Sequence, residues 1–439
     1  MADITVMRTA AETGLSALFD RLKGGLPGDV AVREGALAGF AERGLPHRRV
    51  EEFKYTDLRA LMREAAPAAE RPSAAEIAMA FNLGRAFTGI GAARLTIVNG
   101  HVATELSEAA AFPSGVELTT LHDALTEGHP LLAELGAVAI GRDNPIYQLN
   151  TAFMTDGAVI RVPAGLAVQP AIHLRFLNTG ATPFSTTTRV LVSVEDGASV
   201  TILESHEGAG SVAYQTNGAV EFLVGDGATV EHIRLNGEGE DALALSTTTA
   251  RLGADVQFRS LNFVAGAAVA RHQTFVTFAG QNTHARIDGA SLLKGRQHSD
   301  ATLVIDHAVP HCTSREMHKT VLDGASTGVF QGKIIVRPHA QKTDGGMKSD
   351  ALLLSEECRM NNKPELEIFA DDVVCGHGAT CGALDEDLLF YLKSRGLPQV
   401  EAERLLLQAF LGQALETVEH EGAREALVTV VEGWLGART

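Results

Sequence analysis

The densest group of chemically competent side chains is Cys375-Gly376-His377-Gly378-Ala379-Thr380-Cys381. In an extended strand residues i and i+2 share a face, so Cys375 and His377 project together, flanked by glycines that keep the surface open. Thiolate and imidazole are natural ligands for iron or zinc. Two donors hold a metal weakly, so the pair needs a partner chain to complete it. The plain alternative is a Cys and a His packed inertly at the end of a β core. Upstream, Glu365-Leu366-Glu367-Ile368 alternates as a half-buried strand with both carboxylates on one face, and Asp371 and Asp372 follow. Paired carboxylates can act as acid and base or bind cations. In a chain of net charge −17, a solvated acidic edge is the simpler reading. Asp306-His307, Pro310-His311-Cys312 and His318 match no zinc spacing and read as inward polar ladders and turn contacts. Gly328-Val329-Phe330-Gln331-Gly332-Lys333-Ile334 fails as a phosphate loop, because Ile334 stands where Ser or Thr must hold Mg²⁺ and the glycines are one residue too close. There is no H-E-x-x-H helix.

The elements that must position Cys375 and His377 are announced by a recurring tripeptide. Asp156-Gly157-Ala158, Asp196-Gly197-Ala198, Asp226-Gly227-Ala228, Asp288-Gly289-Ala290 and Asp323-Gly324-Ala325 each precede a β-rich segment, and Gly253-Ala254 is a weaker copy. Asp and Gly accept positive φ, and a small Ala lets coils stack closely. Val190, Val192 and Val194 share one strand face. Fixed turns feeding short strands at this period imply a solenoid or a propeller, and in a solenoid the coils bury their apolar faces on one another. A β-sandwich with Asp-Gly hairpins stays open on this pattern alone.

Helices flank the repeat. Leu15, Leu18, Phe19 and Leu22 fall on one helical face, and a second helix runs through Ala36 to Arg43 until Gly44 and Pro46. Leu95, Ile97 and Val98 lead into the hairpin signal Asn99-Gly100, and residues 105–150 mix helix and loop. Beyond the repeat, Asp385 can cap a helix carrying Leu388, Tyr391 and Leu392, closed by Gly396. Pro398 opens another, and a third carries Leu427, Val431 and Trp434. The expected organisation is an N-terminal helical domain over 1–93, a mixed α/β connection over 94–154, a solenoid core over 155–384, and a C-terminal helical domain over 385–439. That last domain is expected to cap the end of the stack and to present a docking face.

Composition narrows the function. The 439 residues exceed one ordinary domain. The negative charge repels nucleic acid and anionic membrane, so neither is an expected partner. Four cysteines in so long a chain read as reduced thiols rather than a disulfide framework. The start of the chain lacks the apolar run of a signal peptide, and no stretch of about 18 apolar residues offers a membrane span. A cytoplasmic location is therefore expected.

Several stretches resemble the SufD family, subunits of the SUF (SufBCD) iron–sulfur cluster assembly complex. They are Gly44-Leu45-Pro46 with Glu51-Glu52-Phe53-Lys54-Tyr55-Thr56-Asp57-Leu58; Gln341-Lys342-Thr343-Asp344 with Leu352-Leu353-Leu354-Ser355; Lys363-Pro364-Glu365-Leu366-Glu367-Ile368 with Ala370-Asp371-Asp372; and Cys375 to Thr380 with Leu384-Asp385-Glu386-Asp387, Phe390-Tyr391-Leu392 and Ser394-Arg395-Gly396. The resemblance implies a right-handed parallel β-helix between helical domains. It also implies edge pairing with SufB, a related β-helix protein, and docking of the ABC-type ATPase SufC on the C-terminal helices, at Asp385, Glu386, Asp387, Phe390, Tyr391 and Arg395. His377, with Cys375 beside it, would contribute to a nascent iron–sulfur cluster at the SufB interface. ATP and Mg²⁺ would belong to SufC, and a flavin on the assembled complex stays open. Gly376 and Gly378 stand where SufB tends to carry Glu on each side of the His, and Ser349 where SufB carries a cysteine. Both favour the SufD type and leave the main thiolate and carboxylate ligands to the partner. Gly345-Gly346-Met347 departs from the more polar SufD pattern. The expected role is a non-catalytic scaffold. Two rivals are a carbohydrate-active β-helix enzyme using Glu365, Glu367 or Asp371, and a self-contained metalloprotein using Cys375, His377 and Cys381. An exposed strand edge would also let the isolated chain form a homodimer.

Overall fold

The computed structural model describes residues 8–108, 112–210 and 212–437. Its centre is a parallel β-solenoid of about eight turns. From β4 onward successive strands alternate between two sheets. Sheet A runs β3 (Glu117–Thr120), β4 (Asp156–Val162), β6 (Ser185–Val194), β8 (Gln215–Val224), β10 (Leu243–Leu252), β12 (Val269–Phe278), β14 (His298–His307), β16 (Thr327–Val336) and β18 (Arg359–Ile368). Sheet B runs β2 (His101–Val102), β1 (Ala93–Val98), β5 (Ile172–Asn178), β7 (Ser199–Gly208), β9 (Thr229–Gly237), β11 (Gln257–Val264), β13 (His284–Leu293), β15 (Thr313–Leu322), β17 (Asp344–Leu353) and β19 (Val374–Gly382). The antiparallel strands β2 and β3 close one end. The hairpin at Asn99-Gly100 forms with positive φ at both residues, 47° and 79°. At the other end no further described strand pairs with β18 or β19.

Apolar residues from both sheets fill one half of the solenoid interior, among them Ile172, Leu174, Val190, Val192, Ile202, Phe222 and Phe258. The turns obey a stricter rule than the tripeptide suggests. At the corner from sheet A to sheet B, one residue per coil takes positive φ: Gly165, Gly197, Gly227, Asp255, Asn282, His311 and Lys342. Backbone hydrogen bonds stack these corners, as from Gly197 N–H to Asp226 O and from His311 N–H to Gln341 O. Two of the expected turns are not turns. Asp156-Gly157-Ala158 and Asp288-Gly289-Ala290 lie inside β4 and β13, and Asp323-Gly324-Ala325 turns at the opposite corner, from sheet B to sheet A. At 289 glycine answers a packing demand: a Cβ there would fall 2.3 Å from the His318 ring.

The helices α1 (Ala10–Leu22), α2 (Val30–Arg43), α3 (Leu58–Leu61), α4 (Ala74–Leu83), α5 (Leu121–Glu127), α6 (Ala139–Arg142) and α7 (Pro145–Phe153) precede the regular coils. Phe19, Phe40 and Phe153 of α1, α2 and α7 pack with Leu243 and Leu245 on the outer face of sheet A. The motif around Glu52 to Thr56 straps this layer down. The Arg271 guanidinium lies 3.9 Å over the Phe53 ring. Glu52 O accepts from Arg271 Nη2 at 2.8 Å and from Gln331 Nε2 at 3.0 Å. The Thr56 hydroxyl donates to Asp300, which also pairs with Arg271.

Helices α8 (Glu386–Ser394), α9 (Gln399–Leu415) and α10 (Glu421–Gly436) follow β19. They do not cap the stack. Leu407, Leu411, Leu427 and Val431 pack on the flank of sheet B, against Leu203, Ile233, Leu261, Leu292 and Val321. The outer face of sheet B carries apolar residues as its inner face does, as in sheets buried on both sides, and the helices cover it. The end of the stack therefore stays open.

Candidate functional site

β19 carries Cys375 and His377 on the face that points into the solenoid. Register places Cys375 beside Gly345 and His377 beside Met347, and Met347 belongs to the interior core. Because β19 is the final strand, this inward face has no coil above it. His377 is exposed, whereas Cys375 is half-buried and packs on the core. A Cβ at Gly345 would touch the Cys375 sulfur at 3.5 Å. Burial pushes the thiols of Cys375 and Cys381 up, so in the isolated chain neither is an activated thiolate. Among the described residues no three His, Cys, Asp or Glu side chains converge on a common metal position. The acidic strand is accounted for by ion pairs: Glu365 meets Lys363 at 3.1 Å and Glu367 meets Lys333 at 2.9 Å. Glu365 and Glu367 thus sit as a solvated edge rather than as an acid–base pair.

Beside the open coil stands α8. Asp385 caps it through hydrogen bonds from the backbone N–H groups of Asp387 and Leu388 at 2.9 and 3.0 Å. Glu386 and Asp387 occupy the first turn, and Arg395 at the C-cap lies 5.1 Å over the Tyr391 ring. Phe390 is 74% exposed and Tyr391 53%. Two aromatic rings are thus left in water on one short helix.

Apart from His307 and His318, sequence reasoning missed the polar half of the solenoid interior. Glu204 accepts from His232 at 2.8 Å and Arg234 at 3.0 Å and pairs with His206 at 2.5 Å, all nearly fully buried. In register, Arg234, Asn262, Gly289, His318, Ser349 and Ala379 continue the Glu204 position coil by coil. The neighbouring position runs His232, Ser260, Ile287, Glu316, Met347 and His377. The bland reading of His307 and His318 as inward polar groups holds, while His311 sits in a corner turn.

These buried groups set a pH dependence. Burial lowers His173 and His307 to about 3 and His318 to about 4, and holds His272 well below its usual value. An unfolded chain takes up these protons near pH 6.5, so the stability is present above that value and is lost as pH falls toward the folded values. Each histidine contributes up to about 1.4 kcal/mol per pH unit. Burial would raise Glu204, but its hydrogen bonds from His206 and His232 and the Arg234 charge outweigh this and hold it well below the usual range. Its contribution is lost only at still lower pH. Glu316 has the opposite sign. Burial lifts it to about 8, so its contribution is present below the unfolded value and is lost as pH rises toward 8. The urea midpoint is expected to fall from pH 7 to pH 5, and Glu316→Gln to gain most over the unmodified chain at pH 8. A midpoint flat from pH 7 to 5, or a Glu316→Gln effect equal at pH 5 and 8, would contradict this assignment.

Comparison with known proteins converges with this geometry. The SufBD core domain model of the SUF iron–sulfur cluster assembly system matches residues 176–410, and the SufBD N-terminal region model matches 29–174. The chain belongs to the SufBD family. It is 34% identical to a SufBD-family iron–sulfur cluster assembly protein of Synechocystis over 89% of this chain and 87% of the relative. It is 29% identical to the iron–sulfur cluster assembly protein SufD of Escherichia coli over 89% and 90%. A chloroplastic protein of Arabidopsis thaliana, ABCI7, is 31% identical over 66% and 62%. Both SufBD models together cover the N-terminal helices from α2 onward, the solenoid and α8, so the candidate edge and the aromatic helix lie within the matched region. Among the described residues no helix is long and apolar enough to cross a membrane.

Proposed function

We propose that this SufBD-family chain is a SufD-type, non-catalytic scaffold subunit of a cytoplasmic SUF complex. In this reading the open edge of β18 and β19 pairs with SufB, and His377, with Cys375 beside it, is donated to a nascent iron–sulfur cluster at that interface. The aromatic face of α8, from Asp385 to Arg395, holds the SufC ATPase, which binds ATP and Mg²⁺ itself. The observation that carries the reading is the uncovered inward face of β19. A terminal coil exposes unpaired backbone groups along its edge, and another β chain can satisfy them. It also exposes two metal-competent side chains whose ligand set is incomplete, which suits assembly and release better than permanent storage. The protonated Cys375 thiol fits the same picture, since a metal or a partner's charge must first draw off its proton.

The test is co-expression with SufB and SufC followed by cluster reconstitution. The His377→Ala chain is expected to assemble normally and to lose cluster formation. The Phe390→Asp/Tyr391→Asp chain is expected to lose SufC while keeping SufB. Normal cluster yield with His377→Ala removes the site assignment, and SufC retained by the double-aspartate chain moves the docking surface elsewhere.

A further inference from the structure

Two coils below the open end, the interior holds an unexplained pair. Glu316 is 2% exposed, and neither of its carboxyl oxygens has a hydrogen-bond partner. His318, two residues on and on the same inward face of β15, is nearly as buried, and its Nδ1 is also unpartnered. The nearby Ser314 hydroxyl is engaged with His307 Nε2 at 3.1 Å. Buried polar groups are almost always satisfied, and each orphan costs about 1–3 kcal/mol. A proton on Glu316 serves at most one of its two carboxyl oxygens. A cation resolves both groups at once, through lone pairs of the carboxylate and of the neutral imidazole.

We propose that Glu316 and His318 form an internal binding site for a divalent first-row transition-metal ion. Strand residues two apart are separated by roughly 6.6 Å along the backbone, a span that a Glu and a His side chain can close on one ion. Mixed carboxylate and imidazole donors suit Fe²⁺, Mn²⁺ and Zn²⁺. Gly289 keeps the room that the His318 ring occupies, and Phe330 lies against that ring at 4.6 Å. The thioether of Met347 stands one ladder step above Glu316 and one below His377, which places Glu316 about 10 Å beneath the edge. Met347 is unbranched and can re-pack, so in this column it is the side chain an ion from the open end must pass. With only two strong donors from the chain, the remaining positions fall to water or the thioether, and the ion exchanges rather than stays.

This site is separate from the Cys375–His377 edge and stands whether or not that edge serves assembly. The experiment therefore uses the isolated chain with the edge removed, as Cys375→Ser/His377→Ala, titrated with Co²⁺ and followed by its absorption spectrum and by thermal shift. One equivalent is expected to bind without a thiolate charge-transfer band. Adding Glu316→Gln is expected to weaken it at least tenfold. Glu316→Leu removes the orphan carboxyl without adding an unpaired polar group, so it folds at least as well and is expected to bind no ion. The proposal is overturned if the edge variant binds no Co²⁺, or if Glu316→Gln and Glu316→Leu leave stoichiometry and affinity unchanged.

Discussion

Asp300→Ala is expected to cost about 3–5 kcal/mol and to free the N-terminal layer from the solenoid. Arg271 and Asp300 form an ion pair with both side chains fully out of water. Desolvation makes such a pair a poor net contributor while it is intact. Removing one partner leaves the other charge buried and uncompensated, and that is where the cost arises. Here the stranded group is Arg271. Its Nε is already without a partner, and its remaining contacts are the Phe53 ring and main-chain or amide oxygens. Asp300 also accepts from Thr302 at 2.9 Å and from Thr56, so its loss cuts the strap that crosses β12, β14 and β16. A urea titration measures the cost, and limited proteolysis near residue 57 reports the release. Arg271→Met added to Asp300→Ala should recover most of the loss. A midpoint shift equivalent to less than about 1 kcal/mol would show that the pair and its strap contribute little.

The strap explains why the Glu51 to Leu58 stretch stands out in the sequence without doing chemistry. Its residues are tied to distant strands: Glu52 to Arg271 and Gln331, Thr56 to Asp300, and Glu51 to Lys363 on β18. Only resemblance could single it out, since neither its spacing nor its charges spell a contact across more than 200 residues. The solenoid was more legible. Asp196-Gly197 and Asp226-Gly227 are corner turns, and the alternation at Val190, Val192 and Val194 points inward as the period requires. The repeat then fades in sequence while persisting in structure. From the fourth corner to the seventh the left-handed position passes to Asp255, Asn282, His311 and Lys342, which adopt positive φ at modest cost because stacked corner hydrogen bonds hold them there. A reader counting Asp-Gly-Ala loses the register there and finds a false copy at Asp288.

The interior shows the same limit more sharply. Period-two alternation assigns polar residues to solvent, yet Glu204, His232 and Arg234 all face inward. What admits them is the neighbouring coil, which supplies an opposite partner one ladder step away and is invisible to a local window. The placement of the C-terminal helices failed for a related reason. A strand with apolar residues on both faces looks the same whether its outer face meets a helix or another sheet. The shared face of Cys375 and His377, by contrast, needed only the pleat of one strand, so that part of the candidate edge could be read directly.

The C-terminal helices reach that edge through one buried lysine. Lys319 on β15 donates from Nζ to Asp350 at 2.7 Å and to Gln413 of α9 at 2.6 Å, with the Phe410 ring 4.7 Å away. Asp350 on β17 accepts from the Thr380 hydroxyl on β19 at 2.6 Å. The chain of contacts runs from α9 through two coils to the strand that carries His377, three residues from Thr380. Burial would raise Asp350, but the hydrogen bonds from Lys319, Thr380 and Lys348 prevail and hold it below its usual value. Lys319→Met keeps the aliphatic stem and removes the charge. It is expected to destabilise by about 3 kcal/mol, at the lower end for a broken buried pair because the exposed Lys348 stays 3.2 Å from Asp350. Hydrogen exchange should quicken in two places, along α9 and along β19 over residues 374–382, since an Asp350 turned toward Lys348 releases Thr380. Faster exchange in α9 alone would reduce Lys319 to a helix anchor. Exchange in both would make it a positioning residue for the edge, and Lys319→Met would then lower cluster formation in the assembled complex while leaving Cys375 and His377 themselves unaltered.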